Sequence, residues 1–397
     1  MSDYPKDWEV HKVSDFGNVV TGNTPSTSIK EYWNGNYTWI TPTDIESQIF
    51  MNVSERKLTL SGYNKSRKLR KGAVLVTCIA SIGKNCILDV DGSCNQQINA
   101  IEVNKKSYNL YIYYLMEFNK KTLENLAGIT ATKILKKDTF EKIEFTIPPL
   151  EEQKAIADTL MIFDKHIENL EKLIEKKKMI RDGAVEDLMT GKTRLYGFDG
   201  EWEKVTIFDL MSPYGGLSGK SSKDFKDGNK KYISYLKVFN NLYIEKVDTK
   251  VIIKKNEMQN AVNKGDIIFT QSSETLDEVG MASTYLGEEE VYLNSFCFGT
   301  RKKREFNSVF MVLLLRSEEI RKKISTEGQG STRYNLSPNR LMNIELLIPS
   351  LKEQEAIADI LTSMDEEIEN LEKEKTKIEK IRAGAMDDLL TGKVRLV

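Results

Sequence analysis

Few stretches of this chain hold residues whose type and spacing could do chemistry, and each fails on a specific count. The one Pro-Pro pair, Ile147-Pro148-Pro149-Leu150, lacks the preceding Asp or Asn and the following aromatic that an adenine methyltransferase requires. It reads as the entry to a helix, where a proline's missing N–H leaves nothing unsatisfied. Gly215-Gly216-Leu217-Ser218-Gly219-Lys220-Ser221 suggests a phosphate loop, yet the Gly-x4-Gly-Lys spacing is one residue short and no apolar strand leads into it. A DNA-facing loop and a plain surface turn both remain open for it. His11 and His166 are the only imidazoles, and no stretch assembles a nucleophile, a base and oxyanion donors around either. His166 sits in a helical segment among acidic residues, solvated or at a partner interface. Cys78, Cys86, Cys94 and Cys297 lack the paired Cys-x2–4-Cys spacing of a zinc site and suit buried, reduced thiols in the cytoplasm. The expectation is a protein that is not an enzyme, with no metal and no cofactor.

Recognition chemistry remains. Base edges are read by Arg, Lys, Asn, Gln, Ser and Thr, and phosphates mainly by Lys, Arg, hydroxyls and backbone amides. By residue type and loop position, the DNA-binding candidates in the first half are Asn23, Thr24, Ser26, Thr43, Lys65, Arg67, Lys84, Gln96, Gln97, Thr130, Thr132 and Lys133. In the second half they are Ser218, Lys220, Lys237, Gln271, Ser272, Ser273, Arg301, Gln329, Ser331, Arg333 and Tyr334. The runs Lys65–Lys71 and Arg301–Arg304 are candidates for phosphate contact, and Arg321-Lys322-Lys323 is a third basic cluster.

The elements that must position these residues begin with an internal duplication. Ile147–Tyr196 and Ile348–Val397 align without a gap at an offset of about 201 residues, with roughly 29 of 50 positions identical. Both read as long helices. Ser350-x-x-Glu353 has the pattern of a capping box, and Thr190-Gly191-Lys192 and Thr391-Gly392-Lys393 place a glycine where helices end. Apolar residues recur at three- and four-residue steps: Ile156, Leu160, Phe163, Ile167, Leu170 and Ile174, then Ile357, Leu361, Met364, Ile368, Leu371, Ile378 and Ile381. A seam this narrow between Glu- and Lys-rich faces wants a second helix, and the other copy is the obvious one, packed antiparallel as a coiled coil.

Around the helices lie two mixed α/β segments. Tyr37–Thr41 and Lys71–Thr77 read as strands and Tyr108–Phe118 as a helix. Lys264–Thr270 echoes the second strand, Glu201-Trp202-Glu203 echoes Asp7-Trp8-Glu9, and Gly330–Arg333 echoes Gly128–Lys133. The fold class is therefore α+β, divided as 1–147, 148–197, 198–347 and 348–397. The overall charge of -1 conceals a split of roughly +3, -1, +1 and -4 over those segments. Mildly basic globular parts beside acidic helices argue against a protein that coats DNA without selection and allow one that reads it. No apolar run approaches a membrane span and the first residues have no signal-peptide character.

The order of these parts resembles the specificity (S) subunit of type I restriction-modification systems. The resemblance is carried by Ile147-Pro148-Pro149-Leu150-Glu151-Glu152-Gln153 with Ala155-Ile156-Ala157, by the Leu188–Leu195 ending, by the second copies of both, and by the Trp8 and Trp202 segments. It implies two target-recognition domains, each reading half of a split, asymmetric site on double-stranded DNA. It also implies spacer helices that dock two methyltransferase subunits, with restriction/translocase subunits joining the larger complex. The physical reading stands beside it: a helix of about 33 residues spans roughly 50 Å, against 34–36 Å for a turn of duplex, so unlike domains at the ends of such a rod could engage two half-sites. The alternative is a structural coiled-coil adaptor whose globular ends bind proteins.

Overall fold

The computed structural model describes residues 4–46, 48–128, 133–225 and 228–396. Its contacts divide into two units, Met1–Lys172 with Lys373–Val397, and Leu173–Glu372. Each unit therefore holds one globular part and one half of either long helix.

In the first unit a five-stranded sheet runs in the order Gly17–Thr21, Ile98–Val103, Val74–Thr77, Asn85–Leu88, Phe50–Met51. Its pairs are antiparallel except the last, where Phe50 and Met51 lie parallel to Ile87 and Leu88. The central strand shows why the sequence reads as continuously apolar. Val74 and Val76 face one cluster with the helix Asn109–Phe118, whereas Leu75 faces another with Ile40, Leu88 and Ile98. Alternate side chains enter different cores, so no position is left for water. Each such side chain contributes about 1.5–3 kcal/mol by leaving solvent. The helix Asn109–Phe118 is buried from Leu110 to Met116, as expected for one that is apolar all round.

The second unit repeats the plan. Its sheet runs Met211–Gly215, Cys297–Lys302, Ile267–Thr270, Ala282–Tyr285, Tyr243–Ile244, again antiparallel except for the last pair. Ile267 and Phe269 face a cluster with the helix Ser308–Arg316, and Ile268 faces another with Ile233 and Leu293. A short two-stranded pairing, Glu9–Lys12 with Glu144–Ile147 and Glu203–Thr206 with Glu345–Ile348, leads the chain into each long helix.

Those helices, Leu150–Met189 and Leu351–Leu390, have 40 residues each, about 60 Å and longer than the sequence pattern suggested. They pack against each other antiparallel. In the first unit His166 faces Glu374, Glu171 faces Lys375 and Asp164 faces Arg382, the last pair at 2.6 Å. In the second, Lys178 faces Glu372, Lys177 faces Glu367, and Arg181 grips Asp365 at 2.8 and 3.2 Å. The seam is only partly a coiled-coil stripe. Ile156 and Leu160 join the first globular core together with Met386, Leu389 and Leu390, and Ile357 and Leu361 join the second with Leu188 and Met189. Leu170, Ile174 and Ile368 are buried, Phe163, Ile167, Met364, Leu371 and Ile378 half-buried. Ile381, placed on the seam by its spacing, is 43% exposed.

Charged contacts recur at the 201-residue offset. Arg181–Asp365 matches Arg382–Asp164, and Arg194, bidentate on Glu353 at 2.6 and 2.8 Å, matches Arg395 on Glu152 at 2.5 and 2.8 Å. Glu353 thus accepts from Arg194 with both oxygens; the capping-box pattern in the sequence has a longer-range partner. Gln153 donates to the Pro148 carbonyl and accepts from the Tyr108 amide; Gln354 does the same with Pro349 and Asn307. Gly191 and Gly392 have φ of +67° and +72°, the left-handed geometry that lets a helix end sharply. A Cβ on either would press within 3.4 Å of the Trp202 or Trp8 ring. No helix among the described residues is long and apolar enough to cross a membrane.

Candidate nucleic-acid interface

In each unit the central sheet strand runs out into a cluster of loops stitched by backbone hydrogen bonds. In the first, the Cys78 amide donates to the Gln97 carbonyl at 2.7 Å, Leu135 donates to Cys78 at 2.8 Å, and Ala80 donates to Lys133 at 3.0 Å. In the second, Gln271 donates to Phe296 at 2.8 Å and Leu336 to Gln271 at 2.8 Å, while Ser272–Ser273 pairs with Tyr334–Asn335. An asparagine shapes the third loop in both: Asn95 accepts from the Gln97 amide and Asn294 from the Phe296 amide. Gln97 and Phe296 are thus structural counterparts. The loop at Gly330 needs its glycine, because at φ +143° a Cβ would lie 1.9 Å from the Arg333 carbonyl oxygen.

The framework, with its asparagine, is shared; the side chains around it are not. In the first unit the candidates are largely polar groups that hold one another. Thr24 donates to Gln96 at 2.5 Å, and Asn95 donates to Gln97 at 2.9 Å. Asn23 ties its loop to the basic segment by donating to the Lys65 carbonyl and accepting from the Arg67 amide, while the Arg67 guanidinium donates to the Thr21 carbonyl. Ser26 bonds to Ser28, Thr43 to Thr41, and Lys84 to the Ile45 carbonyl. Lys65 and Lys133 are exposed; Lys71 pairs with Asp89 and Arg70 with Glu102. Thr130 and Thr132 lie outside the described residues.

The second unit brings Ser272, Ser273 and Arg333 together on the wall of a cavity of about 500 Å³, with Tyr235, Leu236, Phe239, Glu274, Glu278 and Phe296. Tyr235 and Phe239 stack with centroids 6.0 Å apart, and the Tyr235 hydroxyl donates to the Ser272 carbonyl. Glu278 accepts from the Ser273 and Thr275 hydroxyls. Lys237 is half-buried beside this cluster and its amide donates to the cap residue Ser234. Gln271 and Tyr334 act through their backbone pairings, Gln329 exchanges backbone bonds with Asn335, and Ser331 is exposed.

Other candidates are held inside their own domain. Lys220 has its ammonium group buried, donating to Glu257 and to the Ile252 carbonyl at 2.6 Å each. That ammonium, with the Lys254 amide and the Gln259 side chain, holds the Glu257 carboxyl down at about 2. Ser218 exchanges bonds with Gln259. Arg301 grips the buried Asp266 at 3.0 Å and lies over the Tyr214 ring, and Arg304 pairs with Glu203. Arg321 donates to three carbonyls, those of Asp277, Val279 and Gly280. Burial pushes the Cys78, Cys94 and Cys297 thiols up to about 12, which makes them inert toward nucleophilic chemistry at neutral pH.

Candidates chosen among side chains that donate hydrogen bonds leave out Leu236 and Phe296, which are 65% and 58% exposed, and Glu274, a carboxylate that only accepts. A signal existed for Phe296: Asn294-Ser295-Phe296-Cys297 occupies the place of Asn95-Gln96-Gln97-Ile98 before an equivalent strand.

Two like units built on a sheet and joined by one antiparallel helix pair define a duplicated recognition scaffold. The model of the type I restriction modification DNA specificity domain matches residues 5–177 and again 199–380, and the chain belongs to that family. It is 27% identical over 419 residues to the specificity subunit of type I restriction enzyme MjaVIII of Methanocaldococcus jannaschii, covering 99% of this chain and 94% of that one. It is 30% identical over 200 residues to the HindI specificity subunit of Haemophilus influenzae, 47% of this chain and 42% of that one. Among solved structures, the type I S subunit from M. genitalium aligns over 96% of both chains with a TM-score of 0.55 at 17% identity. A chain from a study of complex assembly and conformational transition of the type I restriction-modification system aligns over 98% of this chain and 99% of that one, with a TM-score of 0.63 at 15% identity. At those identities the likeness speaks for the fold. The protein is a specificity subunit of a type I restriction-modification system.

Proposed function

We propose that this subunit reads an asymmetric, two-part site on double-stranded DNA in the cytoplasm, has no catalytic step of its own, and positions two methyltransferase subunits. Restriction subunits join through the same complex. Segments 1–147 and 198–347 are the target-recognition domains, and 148–197 and 348–397 are the spacer helices. One observation carries the reading: two loop clusters on the same backbone stitching present different side chains, as a reader of two unlike half-sites requires. Ile180 and Ile381, matched at the 201-residue offset, are 49% and 43% exposed. They support a partner surface repeated once per methyltransferase subunit, since apolar residues at an interface core favour burial.

The test is methylation mapping in cells carrying the chain and its methyltransferase partner. The expected outcome is a two-part motif with a fixed unread spacer. Inserting four residues at matched positions of both helices adds about 6 Å of rise each and is expected to lengthen the spacer by about two base pairs, at 3.4 Å per pair. An unchanged spacer rejects the measuring role of the helices. Absence of sequence-selective binding at low salt, with or without the partner, rejects the reader and favours a protein-binding adaptor.

A further inference from the structure

The cavity of the second domain carries two charges of opposite sign that the protein itself does not neutralise. Glu274 and Arg333 both line it and both are exposed. Neither forms a hydrogen bond or ion pair among the described residues. This sets them apart from their neighbours: Glu278 is held by two hydroxyls, and Arg301, Arg304, Arg316, Arg321 and Arg340 all have acceptors. In the first domain Ser81 stands where Glu274 does, counted from the paired strands Val74–Thr77 and Ile267–Thr270, and Gln97 stands in place of Phe296. At these two matched positions only the second domain carries a carboxylate and a phenyl ring.

A carboxylate on a surface that meets DNA is repelled by phosphate and gains only where it finds a base donor. In the major groove the group it suits is the cytosine N4 amino group. A guanidinium fork finds its bidentate match in the adjacent O6 and N7 of guanine. An A·T pair also offers a donor and acceptors, but its two acceptors stand on either side of the donor, so the fork would meet one of them. A G·C pair alone places two neighbouring acceptors beside a donor. Leu236 and Phe296 add exposed apolar surface to the same cavity, suited to the C5–C6 edge of a pyrimidine.

We propose that the second domain reads a G·C base pair, with Arg333 on the guanine O6 and N7 and Glu274 on the cytosine N4. The inference rests on the DNA-reading role proposed above and names a base pair within it. Its test uses the full chain with its methyltransferase partner on duplexes in which 7-deazaguanine or N4-methylcytosine replaces each G or C of the second half-site in turn. At one G and its paired C, affinity is expected to fall about 10-fold to 100-fold, the worth of one good base contact. Arg333→Ala is expected to abolish the response to 7-deazaguanine, and Glu274→Ala the response to N4-methylcytosine. Both variants should keep wild-type selection at the first half-site, which also reports that they fold. A second half-site without a sensitive G·C pair, or variants that respond as wild type does, overturns the assignment. Loss of selection by the wild-type chain at both half-sites would instead sink the reading role itself.

Discussion

The helix pair and the loop clusters repeat in opposite ways. In the helices the side chains recur: Arg181–Asp365 with Arg382–Asp164, Arg194–Glu353 with Arg395–Glu152, Gln354 with Gln153. In the loops the backbone bonds and one asparagine cap recur, Asn95 with Asn294, while Ile79-Ala80-Ser81 becomes Ser272-Ser273-Glu274 and Gln97 becomes Phe296. Side chains are thus matched where the two long helices pack, and differ in the loops that the proposed reading assigns to two unlike half-sites. A buried bidentate ion pair tolerates little change because removing one partner strands a charge. A loop held by its main chain tolerates almost any side chain that points outward.

Substitutions in the matched helix core should break this contrast most visibly. Leu160 and Leu361 are both fully buried, and Leu160→Ala and Leu361→Ala are each expected to lower unfolding stability by about 2–5 kcal/mol in urea titrations. Arg333→Ala and Glu274→Ala should stay within about 0.5 kcal/mol of wild type. A large difference between the two leucines, or a costly loop variant, would erase the distinction.

Next in size are the matched arginines. Arg181 and Arg382 have side chains 17% and 18% exposed, and Ala at either should cost roughly 2–3 kcal/mol, by leaving Asp365 or Asp164 without its guanidinium. Arg382 also faces the half-buried Glu117, whereas the second carboxylate on Arg181 is the exposed Asp182, so the loss of Arg382 should be the greater, and the exchange Arg382→Asp with Asp164→Arg should restore part of it. Thermal unfolding of the two single variants and the exchange measures the coupling.

The smallest effect separates the two globular domains by acidity. Glu257 has its carboxyl depressed to about 2, first by the Lys220 ammonium, below the roughly 4.3 of an unfolded chain. The folded state therefore binds fewer protons. The contact is fully stabilising above about pH 4 and is lost as pH falls through about 2. Hydrogen exchange between pH 4 and 2 should show Leu217, Val251 and Ile253, which share a cluster in this region, loosening on acidification, and Glu257→Gln should remove that dependence. An acid response identical in both would assign the loosening to other carboxylates.

The helices were legible in the sequence because the chain states them twice, and Val74–Thr77 and Ile267–Thr270 because both faces of the central strand are buried. The sheet order was not: Phe50–Met51 beside Asn85–Leu88 is a two-residue parallel pairing across more than thirty residues, with no local signal. The site was legible in part. Ser272, Ser273 and Arg333 do share a cavity. Lys220 and Arg301 have the residue type of phosphate binders but are engaged by Glu257, 37 residues on, and Asp266, 35 residues back, partners no spacing rule reveals. Phe296 and Glu274 were missed because recognition was sought among polar donors, whereas an exposed ring and an unpaired carboxylate define the cavity.

Trp8 and Trp202 close matched helix ends, yet the Trp8 indole N–H donates to Glu152 at 3.2 Å while that of Trp202, shielded from water, finds no acceptor among the described residues. Trp202 is the only indole of the second unit, the other three being Trp8, Trp33 and Trp39. With those three replaced by phenylalanine, the emission of this unbonded ring becomes an optical gauge of one half of the molecule, read without a label while the other half is occupied.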